Sequence, residues 1–199
     1  MPLPFKTKKM AICDDKITGN ISRDCAYRPA QGVVEAYLIN LDDLDRAASV
    51  STDTKITTLT LKAAAKIYSV DSVDTGLGLS ATGARDAYGM AYTHRQKLRI
   101  IDGTSATWEQ LDKMKNSTFI SLVKTKDGSS SSDAYYKVGG YEFGMQMDVD
   151  SIDFDAESGT RGVEFVSQEG SLEAGSVKIF LDTDLATTET WISDNLFSS

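Results

Sequence analysis

Residues 134–170, AYYKVGGYEFGMQMDVDSIDFDAESGTRGVEFVSQEG, decide the predicted fold. Within short runs of this stretch, side chains that would share one face recur at every second position, and most of them are apolar, a spacing that is typical of a strand with one buried face. The repeating positions are Tyr136, Val138, Phe143, Met145 and Met147, followed by Val163, Phe165 and Ser167. Gly139 and Gly140 interrupt the first run and predict a bulge or bend. We therefore predict strands on either side of an acidic, glycine-containing loop at residues 153–159.

The rest of the chain predicts further short strands and one helix. The strands are expected at residues 33–40, 55–62, 66–73, 86–101, 119–125 and 176–181. The helix is expected at residues 104–116, capped by Ser105 or Thr104, with Trp108, Leu111 and Met114 as its buried stripe. The glycine-rich residues 75–83 are interpreted as a loop, and residues 126–133 as an exposed loop tip.

These elements predict a mainly β fold, an antiparallel β-sandwich or barrel with one inserted α-helix. Residues 1–199 are expected to form a single β domain. Residues 1–32 are interpreted as an N-terminal arm and residues 182–199 as a polar C-terminal tail that docks on something.

Composition excludes several classes of protein. The 199 residues contain 29 acids and 21 bases, a net charge of −8, which argues against a general nucleic-acid binder. No apolar run approaches the roughly 20 residues that cross a bilayer, so no membrane partner is expected. No apolar segment of useful length follows the basic N-terminus, so we predict no signal peptide. Cys13 and Cys25 are interpreted as two free thiols; a mutual disulfide is the alternative, and zinc would need more ligands.

Four acids have the ligand spacing of a calcium-binding EF-hand loop: Asp153, Asp155, Glu157 and Glu164. However, Ser158 stands at the sixth position, where a glycine is required, and Arg161 places a cation at the ninth. The flanking segments also have the pattern of strands rather than helices. We therefore interpret these acids as part of a solvated hairpin loop and predict no metal site.

No catalytic constellation is present in the sequence. His94 is the only histidine, it lies in a predicted strand, and no nucleophile motif accompanies it. Gly76, Gly78 and Gly83 match neither a dinucleotide-binding fingerprint nor a phosphate-binding loop. The aromatic residues Tyr135, Tyr136, Tyr141 and Phe143 are interpreted as core, with a surface that stacks on sugars or bases as the alternative. We predict no enzyme activity, no cofactor and no catalytic residue.

Two segments resemble virion structural proteins of phages that infect Bacteroidetes hosts: CDDKITGNISRDCAYRPAQGV from Cys13 and LDTDLATTETW from Leu181. The order of elements, an arm, strands, a long hairpin, one helix, further strands and a tail, resembles the tail-tube fold of phages. The resemblance implies a structural virion protein of the tail, assembled in the host bacterial cytoplasm. It implies homo-oligomeric rings, often hexamers, which stack into a tube that conducts genomic DNA and contacts other tail proteins.

Ring formation through sheet pairing would remove exposed strand edges. Residues 1–32, 74–88 and 182–199 are the predicted connections between stacked rings. The acidic composition leads us to expect a lumen that repels phosphates. The alternatives are a head–tail connector ring or capsid-decoration protein, and a monomeric β-sandwich module that binds glycan or calcium.

Overall fold

A computed structural model describes residues 32–72, 76–85, 89–100, 104–126, 135–153 and 160–198. Within these residues the chain forms one largely antiparallel sheet of eleven strands together with two α-helices. The strands are β1 (Val33–Asn40), β2 (Val50–Ser51), β3 (Lys55–Thr58), β4 (Tyr68–Val70), β5 (Leu77–Arg85), β6 (Met90–Ile100), β7 (Phe119–Thr125), β8 (Tyr136–Gly139), β9 (Met145–Asp153), β10 (Thr160–Ser167) and β11 (Lys178–Phe180). The helices are α1 (Ser105–Met114) and α2 (Leu185–Asn195). The predicted mainly β class is confirmed, and the open sheet is consistent with a sandwich.

The central strand of the fold is β7. It pairs with β1 along one edge and with β8 along the other. Phe119 and Val123 project into a first hydrophobic core, whereas Ile120 and Leu122 project into a second. A short run that is apolar at nearly every position is typical of a strand buried on both faces. The sequence FISLV therefore places β7 between the two cores.

Different elements complete the two cores. The first core receives side chains from β5, β6, β9 and β10, with Leu111 of α1. The second receives Ile56 of β3, Phe180 of β11 and Ile192 of α2. The four strands over the first core run antiparallel in the order β9-β10-β6-β5.

The predicted helix is confirmed as α1. The Thr104 side chain accepts a hydrogen bond from the Thr107 N–H and so caps the first turn. Leu111 is buried, while Trp108 and Met114 are half-buried on the same stripe. The sequence was sufficient to predict this helix, because the capping residue and the apolar stripe both depend on residues that are near one another in the chain.

Two predictions in the sheet are wrong. Residues 77–85 form β5, not a loop, and pair with β6 at nine consecutive positions. A Cβ on Gly83 would lie 2.9 Å from the Tyr92 ring, so the glycine allows the facing aromatic side chain to pack across the hairpin. Phe143, predicted to face the core from a strand, lies in a turn and is 50% exposed.

The segment described above as a tail, residues 182–199, contains the second helix. The Asp184 side chain caps α2 by accepting the Thr187 N–H. Ile192 is buried, and the Trp191 ring packs edge-on against Phe180 at 5.2 Å. The segment thus docks on the core of its own chain, because its apolar residues recur at helical spacing.

Replacing Ile120 by alanine should lower the free energy of unfolding by about 3 kcal/mol, because the side chain is 0% exposed and a cavity would remain. The matched control is Val34→Ala on β1, where the side chain is 50% exposed and a loss of about 0.5 kcal/mol or less is expected. Urea unfolding monitored by tryptophan fluorescence measures both. Equal losses would show that β7 is not the central strand.

Candidate functional site: two open sheet edges and a clamped bulge

Among the described residues, the outer strands of the β9-β10-β6-β5 section each leave one edge open. β5 pairs with β6 and with no other described strand. β9 pairs with β10 and meets β7 at one position, Met145 opposite Phe119. In the part of the chain that the structure describes, no other backbone hydrogen bond reaches residues 77–85 or 146–153.

The alternation of backbone groups shows which residues face these edges. The His94 N–H donates to Ser167 Oγ, on the β10 side of β6, and the Ser80 hydroxyl donates to the Arg95 carbonyl, on the β5 side. Consecutive residues of a strand present their N–H and C=O groups to opposite edges. With the observed registers, the backbone groups of Ala81 on β5 and of Ile152 on β9 point to the open edges.

The two edges have complementary surfaces. Beside β5 lies a groove of about 250 Å³. Most of its lining side chains are apolar: Val33, Leu77, Leu79, Ala81, Val123 and Val177. On the opposite edge, Val149 and Ile152 of β9 are 39% and 44% exposed. One edge therefore has an apolar groove, and the other has apolar side chains in contact with solvent.

A bulge separates β8 from β9. Against β7, Ser121 pairs with Gly139 and Phe119 pairs with Met145, so four extra residues are inserted between the two pairs. Gly140 and Gly144 have φ values of +69° and +76°, which favour glycine. The predicted interruption at Gly139 and Gly140 is confirmed.

The carboxylate of Glu173 holds this bulge. It is 1% exposed and accepts the N–H groups of Glu142 at 2.9 Å and Phe143 at 3.0 Å. Successive N–H groups that converge in a turn form a site for an anion, which the Glu173 side chain fills. The Glu173 backbone pairs in turn with Tyr92 of β6. The bulge is thereby fixed to the sheet that carries the open edges.

His94 supports the same bulge from β6. Its side chain is 1% exposed, Nδ1 accepts the Gly140 N–H at 2.9 Å, and Nε2 lies 3.1 Å from the Gly175 carbonyl. This pair of contacts requires a neutral ring with the proton on Nε2. Burial lowers the pKa of His94 accordingly. The ring acts as a structural acceptor and donor, not as a base with access to substrate.

Charged groups surround Glu173 and Glu142. Burial raises the pKa of the Glu173 carboxyl, and the N–H groups of Phe143 and Glu142 act in the opposite direction. Arg46 donates to the Glu142 carbonyl at 2.5 Å, and Lys178 Nζ lies 3.6 Å from the Glu142 carboxylate. Lys178 also lies 5.2 Å from the centre of the Tyr141 ring. These contacts hold the bulge from several directions.

Of the four candidate calcium ligands, the structure describes the side chain of Glu164, which is paired with Arg95 at 2.5 Å and with Lys97 at 3.0 Å. The side chain of Asp153 and residues Asp155 and Glu157, like Cys13 and Cys25, lie outside what the structure describes. Within the described ranges, no three His, Cys, Asp or Glu side chains are grouped closely enough to hold a metal ion.

Two of the four aromatic residues, Tyr136 and Tyr141, and the cation Arg161 have structural positions. Tyr136 and Tyr141 are buried, so neither presents a face to a sugar or base. Arg161 is buried, bonds Asp150 through two nitrogens at 2.6 Å, and stacks on Trp108. No local pattern points to Glu173, because its bonding partners lie about 30 residues away along the chain.

Comparisons with family models, curated proteins and solved structures found no match for this chain. Among the helices described, neither is long and apolar enough to span a membrane.

Protonation of His94 should weaken the fold as pH falls. The folded chain holds the imidazole neutral, with a pKa below the 6.5 of an unperturbed histidine, so the unfolded chain takes up the proton first. The free energy of unfolding should be fully retained above pH 6.5 and should decrease between pH 6.5 and the folded-state pKa.

His94→Gln isolates this contribution, because His94 is the only histidine and glutamine retains an acceptor and a donor. The pKa of Glu173 is raised above 4.5 in the folded chain, so just above pH 4.5 the folded chain binds more protons than the unfolded chain. The free energy of unfolding therefore rises there as pH falls. This contribution is present in both the wild type and His94→Gln. Urea unfolding across this pH range should show a steeper acid loss for the wild type. Identical pH profiles would contradict the assignment.

Replacing Glu173 by glutamine should lower the free energy of unfolding by about 1–3 kcal/mol, because an amide NH₂ replaces one acceptor of buried N–H groups. Glu169→Gln, at an exposed position nearby, is the matched control and should change little. Thermal and urea unfolding measure both variants. Equal stabilities of the two variants would show that the carboxylate does not hold the bulge.

Proposed function

We propose that this chain is a structural subunit of a phage tail tube, in which copies join edge to edge into rings and the rings stack into a conduit for DNA. The observation that carries the proposal is the pair of open edges, β5 and β9, on one four-stranded antiparallel section. Isolated edge strands favour pairing with another chain, and native proteins usually block them. Both edges here are strands of nine residues.

The strand directions suit a head-to-tail joint. Successive strands alternate in direction across β9-β10-β6-β5, so β5 and β9 run in opposite directions. When β5 of one copy lies beside β9 of the next, the pair is antiparallel and the alternation continues. Such a contact is heterologous, because each copy uses two different surfaces, and it produces a ring when the rotation closes.

Side chains support the same joint. Ile152 is displayed on the β9 edge, and the apolar groove flanks the β5 edge. Burying exposed apolar surface contributes about 25 cal/mol per Å². Backbone pairing and apolar burial therefore favour the same partner, a second copy of this chain. The hexameric ring size, the other tail proteins as partners and the location in the virion tail follow from the family resemblance.

Proline substitutions at the open edges test the contact between copies without removing hydrogen bonds within the sheet of one copy. Ala81→Pro and Ile152→Pro each remove an N–H that points to an open edge, on β5 and β9 respectively. Each variant alone should remain monomeric by light scattering at a concentration where the wild type assembles. An equimolar mixture should form a dimer and nothing larger, because each variant retains one intact edge of opposite type.

Glu169→Pro is the matched control. Ser171 N–H donates to the Gln168 carbonyl across a turn in which Gly170 has a φ of +82°, and proline is favoured at the position before such a glycine. This variant should assemble like the wild type. Wild-type assembly by both edge variants, or failure of their mixture to form a dimer, would overturn the proposed joint.

A further inference from the structure

The face of the four-stranded section that points away from the first core carries a row of cations. Along β6, the buried residues His94, Gln96 and Leu98 alternate with Arg95, Lys97 and Arg99, so the three cations share the outer face. Residues two apart on a strand are about 6.7 Å apart. The row therefore spans about 13 Å along β6.

Few acidic side chains lie beside this row on the described outer positions of β6 and β10. On the outer positions of β6 and β10 the described charges are three cations and one carboxylate, Glu164, which gives an excess of two positive charges. Glu164 is shared between Arg95 and Lys97. Arg99 forms no ion pair with any side chain in the described ranges. The excess is local, because the whole chain has a net charge of −8.

A hollow lies beside the row. It has a volume of about 290 Å³, and its lining includes the cations Lys97 and Arg99, the carboxylate of Glu164, and Val149, Ser151 and Gly162. Gly162 lies between Arg99 on β6 and Ser151 on β9. A Cβ at this position would lie 3.0 Å from Ser151 Oγ, so the glycine keeps the floor of the hollow open. A phosphate group can thus approach the sheet backbone between a guanidinium and a hydroxyl.

We propose that this outer face binds the phosphate backbone of nucleic acid, with Arg99 as its main unpaired cation. Lys and Arg contacts to phosphates supply binding that is independent of sequence and depends on salt. The outer positions described on β5, β6 and β10 include no aromatic residue, so base stacking has no platform there. The expected ligand is therefore the phosphodiester backbone rather than the bases.

This binding goes beyond the conduit function, since it belongs to each subunit whether or not rings form. It also differs from the repulsive lumen that the acidic composition led us to expect. Two excess charges give contacts that are weak and exchange readily, and such contacts let a protein slide along DNA. If this face lines the conduit, it would contact the genome without holding it fixed.

Binding of the full chain to a short fluorescently labelled DNA duplex, followed by anisotropy, tests the proposal. The wild type should bind with an affinity that falls about tenfold between about 50 and 200 mM salt, as about two released counterions predict. Arg99→Gln should weaken binding about tenfold at about 0.1 M salt and reduce the salt slope by about 1. Glu164→Gln should strengthen DNA binding, because it removes the carboxylate that pairs with Arg95 and Lys97.

Lys113→Gln removes the same charge from the exposed surface of α1 and is the matched control. Equal effects of Arg99→Gln and Lys113→Gln would overturn the proposal, as would absence of salt-dependent binding. Binding of polyglutamate as tight as that of DNA would also overturn it and indicate an acidic protein partner. The same assay on Ala81→Pro distinguishes DNA binding from assembly. This variant should stay monomeric but retains the whole outer face, so it should bind DNA like the wild type.

Discussion

The fold depends on a strand that must be buried on both faces. β7 presents Phe119 and Val123 to one core and Ile120 and Leu122 to the other, so neither face can be left in water. The four-stranded section with α1 covers one face, and α2 with the β3 and β11 region supplies the other core. Once β5 and β9 lie over β7 in this way, their outer edges have no described partner. The apolar requirement at the centre thus generates the open edges at the periphery.

The bulge between β8 and β9 connects this core to the candidate assembly surface. Glu173 and His94 satisfy the backbone N–H groups of a turn that would otherwise be costly to bury. His94 belongs to β6, and Glu173 belongs to the segment that follows β10. The start of β9 is therefore held in a fixed place relative to its neighbours. A fixed edge loses less conformational freedom when it pairs with another copy.

Local patterns could be predicted from the sequence, and long-range pairings could not. The alternation of Val163 and Phe165 predicted β10, and Thr104 with Leu111 predicted α1, because strand period and helix capping depend on nearby residues. β5 was interpreted as a loop because its glycines weaken strand propensity, and only pairing with β6 compensates. The bonds of His94 to Gly140 and of Glu173 to Phe143 join distant positions, which no local pattern encodes. The proposed tail-tube function rests on a resemblance in the sequence, to which the open edges of β5 and β9 add a geometric argument.

The proposed contact pairs β5 of one copy with β9 of the next. Negative-stain electron microscopy of the purified chain over a range of concentrations tests this pairing. We expect closed rings of uniform diameter, and stacked tubes as the concentration rises. A population of single particles with the dimensions of one subunit, unchanged at the highest concentration, would contradict it.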